Sequence, residues 1–261
     1  MVAAMAEPAH RGRVAVVTGG AMGIGAACAE HLAQLGATVV IADRNDEAAQ
    51  ATAARLRAAG WKASTVHLDV ADAASVQAAF AQVQREHGRC DILVNSAGVA
   101  KVMPFLDFAL DTFEWTLRIN VTGTLLCSQH AARLMVPHRW GRIINIASVA
   151  GMRAVGTGRT AYGTSKGAVI ALTRQIAVEL AEHGITANAV APGPVDTPLT
   201  QQLHTAQFRK EYASAIPMER YGSTGEIAAA VAYLASDAAS YTTGVVLPVD
   251  GGFYAAGARG I

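Results

Sequence analysis

Short apolar runs recur along the chain, and each closes on a glycine or a polar residue at its C-terminal end. Val14 to Val17 runs into Thr18-Gly19, Thr38 to Ala42 into Asp43, and Ala63 to Leu68 into Asp69. Asp91 to Val94 runs into Asn95, Gly141 to Ala147 into Ser148, and Ile185 to Val190 into Ala191-Pro192-Gly193; Val245 to Val249 is the last. Runs this short with no polar alternation read as strands buried on both faces.

Between the runs the apolar period lengthens to three or four, the spacing of a helix with one buried stripe. Helices are predicted from Gly23 to Leu35 before Gly36, from a cap at Asp46 to Gly60, and from a cap at Asp72 to His87. A long one is predicted over Asp111 to Met135, stopped near Pro137. Another follows Tyr162, with Val169, Thr173, Ile176 and Leu180 on one face, and a short one spans Glu226 to Leu234. Residues 197–220 show no strand pattern and read as an excursion. Strand and helix alternating in this way predict an α/β fold, a parallel sheet with helices on both faces. With no linker and no repeat, the 261 residues read as one domain, residues 1–11 forming an N-terminal extension.

Composition narrows the function. The chain is 52% hydrophobic and 16% charged, which suits a large core, and a formal net charge of +1 gives no attraction to nucleic acid or an anionic membrane. Cys28, Cys90 and Cys127 are widely spaced and odd in number, against a disulfide framework or a zinc site and in keeping with a reducing compartment. The first residues lack the apolar segment of a signal peptide, and no run has the length of a bilayer span. The expectation is a cytoplasmic protein with no metal.

In a doubly wound sheet, ligands bind where the strands end. Gly19, Asp43, Asp69, Asn95, Ser148 and Gly193 all fall at such ends. Gly19, Gly23 and Gly25 lie in a strand-to-helix turn, where glycine lets backbone approach a pyrophosphate and the helix N-terminus favours an anion. Asp43 closes the next strand at about the 20-residue offset of a carboxylate that accepts ribose hydroxyls. Such a carboxylate repels a 2′-phosphate, so NAD is expected in preference to NADP, although Arg44 beside it is able to pair with that phosphate. Asp69 is placed to accept from an adenine amino group, and Asn95-Ser96-Ala97-Gly98 to let a ribose lie against backbone.

Tyr162 and Lys166, four apart on a helix, project from one face. A phenol ionises near pH 10, and an adjacent ammonium lowers that value toward the range useful for proton transfer. Alone, such a pair more often packs a ring on an aliphatic stem. In company it means more.

Thr18-Gly19-x-x-x-Gly23-x-Gly25, Asn95-x-Ala97-Gly98, Asn120, Ser148, Tyr162-x-x-x-Lys166 and Pro192-Gly193, in that order, resemble the short-chain dehydrogenase/reductase family from about Arg11 to Phe253. The resemblance implies a Rossmann-like domain with a seven-stranded parallel sheet, assembled as a homotetramer. It implies that Tyr162 is the acid/base and that Lys166 tunes it and holds the nicotinamide ribose. Ser148 would bond the substrate oxygen, and the Asn120 backbone would hold a water leading from Lys166. Thr197 would bond the nicotinamide carboxamide, and Met22, Ile24, Val70, Pro192, Gly193 and Val195 would lie along the cofactor. Ser96 stands where many members have Asn, and the interval from Ser148 to Tyr162 is one residue longer than usual.

The expected reaction interconverts a secondary alcohol and a ketone with a small molecule as substrate. Two other readings stay open: an NADPH-dependent 3-oxoacyl-thioester reductase, and a silent nucleotide-binding regulator. Val149, Met152, Val155, Leu199 and Leu203 suggest an apolar pocket lining, Arg153 and Arg159 are surface residues or anion partners, and His204 reads as a loop residue.

Overall fold

The computed structural model describes residues 9–203 and 205–257. Its strands are β1 (Val14–Thr18), β2 (Thr38–Asp43), β3 (Ala63–His67), β4 (Ile92–Asn95), β5 (Gly141–Ile146), β6 (Ile185–Pro192) and β7 (Val246–Val249). They form one parallel seven-stranded sheet in the order β3-β2-β1-β4-β5-β6-β7. β1, β4, β5 and β6 are buried along their whole length, which is why their sequences are apolar without alternation.

Helices α1 (Gly23–Gln34), α2 (Asp46–Ala58), α3 (Ala73–His87), α4 (Leu110–Leu117), α5 (Gly123–Met135), α6 (Thr160–Leu180), α7 (Pro198–Leu203), α8 (Ala206–Ser214) and α9 (Thr224–Leu234) complete the order. On one face of the sheet, Cys28 and Leu32 of α1, Leu56 of α2 and Ile227 and Val231 of α9 pack against Val17, Ile41 and Ile144. On the other, Phe80 of α3, Cys127 and Met135 of α5 and Ala177 of α6 pack against Val16, Leu93 and Ile143. All three cysteines are buried and free, and burial pushes the Cys28 and Cys127 thiols up to about 12. They are core residues. Among the described residues no helix is long and apolar enough to cross a membrane.

Strand order reverses between β1 and β4, so the connections leave to opposite sides there and open a crevice above the C-terminal strand ends. The two ends are tied: the Thr18 hydroxyl accepts from the N–H groups of Ser96 and Ala97 at 3.1 and 3.2 Å.

Several boundaries differ from the sequence pattern. The cap of α2 is Asn45, whose side chain accepts from Ala48 N–H at 3.0 Å; Asp46 is the first helical residue. Asp72 does cap α3. The helix expected over Asp111 to Met135 is two helices separated by a wider, π-type turn at Arg118–Thr122, which contains Asn120. β5 stops at Ile146, leaving Ser148 to cap a 3₁₀ turn at Val149–Gly151, while β6 continues to Pro192. The excursion at 197–220 contains α7 and α8.

Candidate active site

The strand ends and the loops above them enclose a cavity of ≈ 580 Å³. It runs from Asp43 and Arg44, past Gly19, Met22, Gly23, Ile24 and Gly25, to Ser148, Tyr162 and Lys166. Asp69, Val70, Ala97, Gly98, Pro192, Gly193, Val195 and Thr197 also line it. Two residues expected there do not. Asn95 and Asn120 stand behind the wall, 4% and 1% exposed.

The glycine turn is built by backbone contact as much as by room for a ligand. Gly19 has φ +61°, and a Cβ there would lie 2.8 Å from Ala97 Cα; one on Gly25 would lie 2.1 Å from Gly19 O. Any side chain at either position would push apart β1, α1 and the loop after β4. Behind this turn α1 begins at Gly23 with no side-chain cap from Met22. Its first N–H groups and the positive end of its dipole face the cavity, a setting for an anion such as a pyrophosphate.

At the neighbouring strand end, Asp43 Oδ2 accepts from Ala21 N–H at 3.1 Å and Oδ1 from Asn45 N–H at 3.0 Å. These bonds hold the carboxylate at the mouth of the cavity. Asp69 is braced in the same way, its Oδ1 accepting from Ala71 N–H at 2.9 Å.

Asn95 has a structural post instead of a ligand-facing one. Its Nδ2 donates to Ser128 Oγ at 3.0 Å and to Asn145 Oδ1 at 2.8 Å, and Asn145 donates on to Thr173 Oγ1 at 2.9 Å. The chain of bonds joins β4 and β5 to α5 and α6. Asn120 also acts through its side chain: Oδ1 accepts from Val99 N–H at 2.8 Å, and Nδ2 donates to Val99 O and Ser165 Oγ, both at 2.9 Å. It clamps the loop after Gly98 to α6 one residue from Lys166. The π-type turn re-aims this side chain out of the regular helical row.

Ser148 and Tyr162 meet because the turn after β5 packs on the backbone of α6. Gly151 permits it: a Cβ there would lie 2.5 Å from Lys166 C and 2.6 Å from Gly167 N. Ser148 is buried, its Oγ accepting from Ala150 N–H at 3.1 Å, and it lines the cavity together with Tyr162. Burial pushes the half-buried phenol above its ordinary value of 10.0, while the neighbouring Ser148 hydroxyl and the Arg159 charge pull it back.

Lys166 does not meet the expectation in one respect. Its Nζ donates to Ile146 O at 2.6 Å and stands 5.8 Å from the centroid of the Tyr162 ring. In this arrangement Ser148 and Arg159, not Lys166, are the groups that favour the phenolate. Lys166 as a whole is 6% exposed, and burial lowers its ammonium from 10.5 to about 8.

The other half of the cavity is lined by Val149, Ala150, Val155, Arg159, Pro194, Pro198, Thr200 and Tyr212. Met152, expected in the lining, packs instead against Val169 and Ala189 in a small core cluster. The side chains of Leu199 and Leu203, and all of His204, lie outside the described residues. The Thr197 hydroxyl accepts from Thr200 N–H at 3.2 Å at the head of α7. Tyr212 was not foreseen; it comes from α8, and its ring meets Phe253 and Phe208 edge-on at 5.5 Å each.

The enoyl-(acyl carrier protein) reductase family model matches residues 19–254. The chain belongs to the short-chain dehydrogenase/reductase family. Members of this oxidoreductase family bind a nicotinamide cofactor. A cis-4-hydroxycyclohexanecarboxylate dehydrogenase of Sinomonas cyclohexanicum is 45% identical over 93% of this chain and 97% of its own. The 3-oxoacyl-[acyl-carrier-protein] reductase of Aquifex aeolicus is 40% identical over 94% and 98%. Among solved structures, a gluconate 5-dehydrogenase from Burkholderia cenocepacia, in complex with NADP and tartrate, superposes with a TM-score of 0.92. It is 37% identical, over 97% of this chain and 100% of that one.

Proposed function

We propose that this short-chain dehydrogenase/reductase oxidises a small secondary alcohol to a ketone, or reduces the ketone, with NAD as cofactor. The observation that carries the reading is one continuous cavity with an uncapped helix N-terminus and Asp43 at one end and Ser148, Tyr162 and Lys166 at the other. The residues fit a dinucleotide: glycine backbone and the α1 N–H groups for the pyrophosphate, Asp43 for the adenosine ribose, Asp69 and Val70 for the adenine, and Lys166 for the nicotinamide ribose. When bound, the nicotinamide accepts or gives the hydride.

The chain's own residues handle the oxygen and its proton. Tyr162 takes the hydroxyl proton of the alcohol, or returns it to the ketone oxygen, while Ser148 donates to the same oxygen as charge develops. Ser148 and Tyr162 line the same end of the cavity and the Ser148 hydroxyl favours the phenolate, so a substrate oxygen placed between them meets both groups. Asn120 and Gly151 act at one remove, keeping α6 and the turn after β5 in register with the loop above β4. The half lined by Val149, Val155 and Tyr212 excludes water from the reacting carbon.

NAD is preferred over NADP because the braced Asp43 carboxylate would stand against a 2′-phosphate. The NADP in the Burkholderia structure belongs to that protein and supports the opposite choice, as does exposed Arg44 at the cavity mouth. The hydroxy acids in the names of the Sinomonas and Burkholderia relatives support a small polar substrate. The Aquifex relative supports the second reading, reduction of a 3-oxoacyl thioester.

Tyr162→Phe tests the mechanism. The variant should bind NAD as the native protein does and lose kcat by orders of magnitude on any alcohol of a screening panel. Wild-type turnover by the Phe variant ends the proposed role of the phenol.

A further inference from the structure

Arg159 favours the Tyr162 phenolate through its charge but takes no part in the proton transfer itself. It stands immediately before α6, three residues ahead of Tyr162, and is half-buried. It lines the main cavity and also a second, open cavity of ≈ 900 Å³, walled by Val102, Met103, Phe105 and Gly158. The guanidinium therefore sits in the partition between the two spaces.

Three other arginines of the C-terminal half each have a partner, although Arg209 Nη1 is buried without one. Arg153 donates to Phe253 O and Ala256 O at 3.3 and 3.2 Å and lies over the Phe253 ring. Arg209 is 3.2 Å from Asp196 and stacks on Tyr221, and Arg220 holds Glu226 through two bonds at 3.0 and 2.6 Å. Among the described residues, no hydrogen bond, ion pair or aromatic face holds the Arg159 guanidinium. Burial raises Tyr162, Tyr212 and Tyr221, and the Arg159 charge pulls each back, so its field reaches the reacting end of the cavity. A half-buried cation without a counter-charge is an uncommon expense in a folded chain.

We propose that the substrate carries a carboxylate remote from its carbinol carbon and that Arg159 binds that carboxylate. The inference rests on the alcohol–ketone reading and specifies which alcohols. A guanidinium presents two parallel N–H donors to a carboxylate, and here it does so beside the phenol, so one small hydroxy acid touches both. Carboxylate is favoured over phosphate because a dianion wants a second cation, and Arg153, whose charge also acts on Tyr212, is fastened to the C-terminal tail. With the far end anchored, the carbinol carbon has one orientation under Tyr162 and Ser148 instead of several. Arg159 is thus a specificity residue.

The test uses dead-end ligands, so that it does not depend on turnover. Cyclohexanecarboxylate and cyclohexanecarboxamide are titrated by calorimetry onto NAD-loaded native protein, Tyr162→Phe and Arg159→Gln. Native protein and Tyr162→Phe should both prefer the carboxylate, by on the order of 10- to 100-fold, the weight of a charge-assisted paired contact. Arg159→Gln should lose that preference while its NAD affinity shows that it is folded. Equal affinities in the native protein, absence of carboxylate binding, or a preference that survives in Arg159→Gln overturns the proposal. Failure of the preference with alcohol oxidation intact removes the anchor alone. An intact preference without turnover of any alcohol or ketone removes the reaction assignment.

Discussion

Lys166 carries a stability penalty that substitution should release. Its ammonium is buried against α6 and β5 with a single bond, to Ile146 O, and its pKa falls from 10.5 to about 8. That difference corresponds to about 3 kcal/mol by which folding disfavours the charged form. Lys166→Met keeps the volume and removes the charge, but it strands the Ile146 carbonyl at a cost of about 1 kcal/mol. The net expectation at pH 7 is a variant more stable by about 2 kcal/mol, or about 4–8 °C in Tm for a chain of this size. The sign with pH follows from the same numbers. Below pH 8 the lysine is protonated in both states and the penalty is complete; between pH 8 and 10.5 the unfolded chain binds the extra proton, so native stability rises with pH. The gap between variant and native protein should therefore close over that window. Urea denaturation of both proteins, without added nucleotide, at pH 7, 8.5 and 10 measures it, and taking the difference cancels every other titrating group. A gap that stays constant across the window, or a Met variant less stable at pH 7, would refute the desolvation argument. The same variant should have lost activity, the usual exchange of stability for function at a site.

Two further outcomes follow from the site. Asp43→Ala should narrow or invert the preference for NAD over NADP, read as the ratio of kcat/KM for the two cofactors. A native enzyme that already uses NADPH faster than NADH at subsaturating cofactor shows the assignment to be wrong. Because burial raises the Tyr162 phenol, the base form needed to oxidise an alcohol is scarce at neutral pH and grows with alkalinity. kcat/KM for alcohol oxidation should climb above pH 7, and a profile falling over that range contradicts Tyr162 as the base.

What was legible in the chain was what the chain decides locally. The run Val14–Thr18, the glycines after it and Asp43 at the end of β2 are fixed by neighbours a few residues away, and the structure brings the glycines and Asp43 to one cavity. Tyr162 and Lys166 could be paired from their spacing because both stand on α6. The direction of the Lys166 ammonium could not, since its acceptor, Ile146 O, belongs to a strand twenty residues back. The break in the helix at Arg118–Thr122 was equally invisible. Its apolar pattern runs on without interruption, and the wider turn coincides with bonds from Asn120 to Val99 and Ser165, partners from a distant loop and helix.

The two halves of the cavity are therefore built by different rules. The half assigned to the cofactor is shaped mostly by backbone: Gly19 against Ala97, Gly25 against Gly19, and the free N–H groups of α1. Such contacts tolerate almost no substitution, which is why the motifs there are recognisable from sequence. The half assigned to the substrate is shaped by side chains from separate segments: Val149 and Val155 after β5, Arg159 before α6, and Tyr212 of α8. Val149 is buried beside Ser148, but Val155, Arg159 and Tyr212 are half-buried and none of them holds the fold in the way Gly19 does. Substrate choice in this chain should accordingly respond to Arg159, Val155 and Tyr212, while the proton transfer itself stays with the residues that the sheet and α6 hold in place and the Arg159 charge only tunes the Tyr162 phenol.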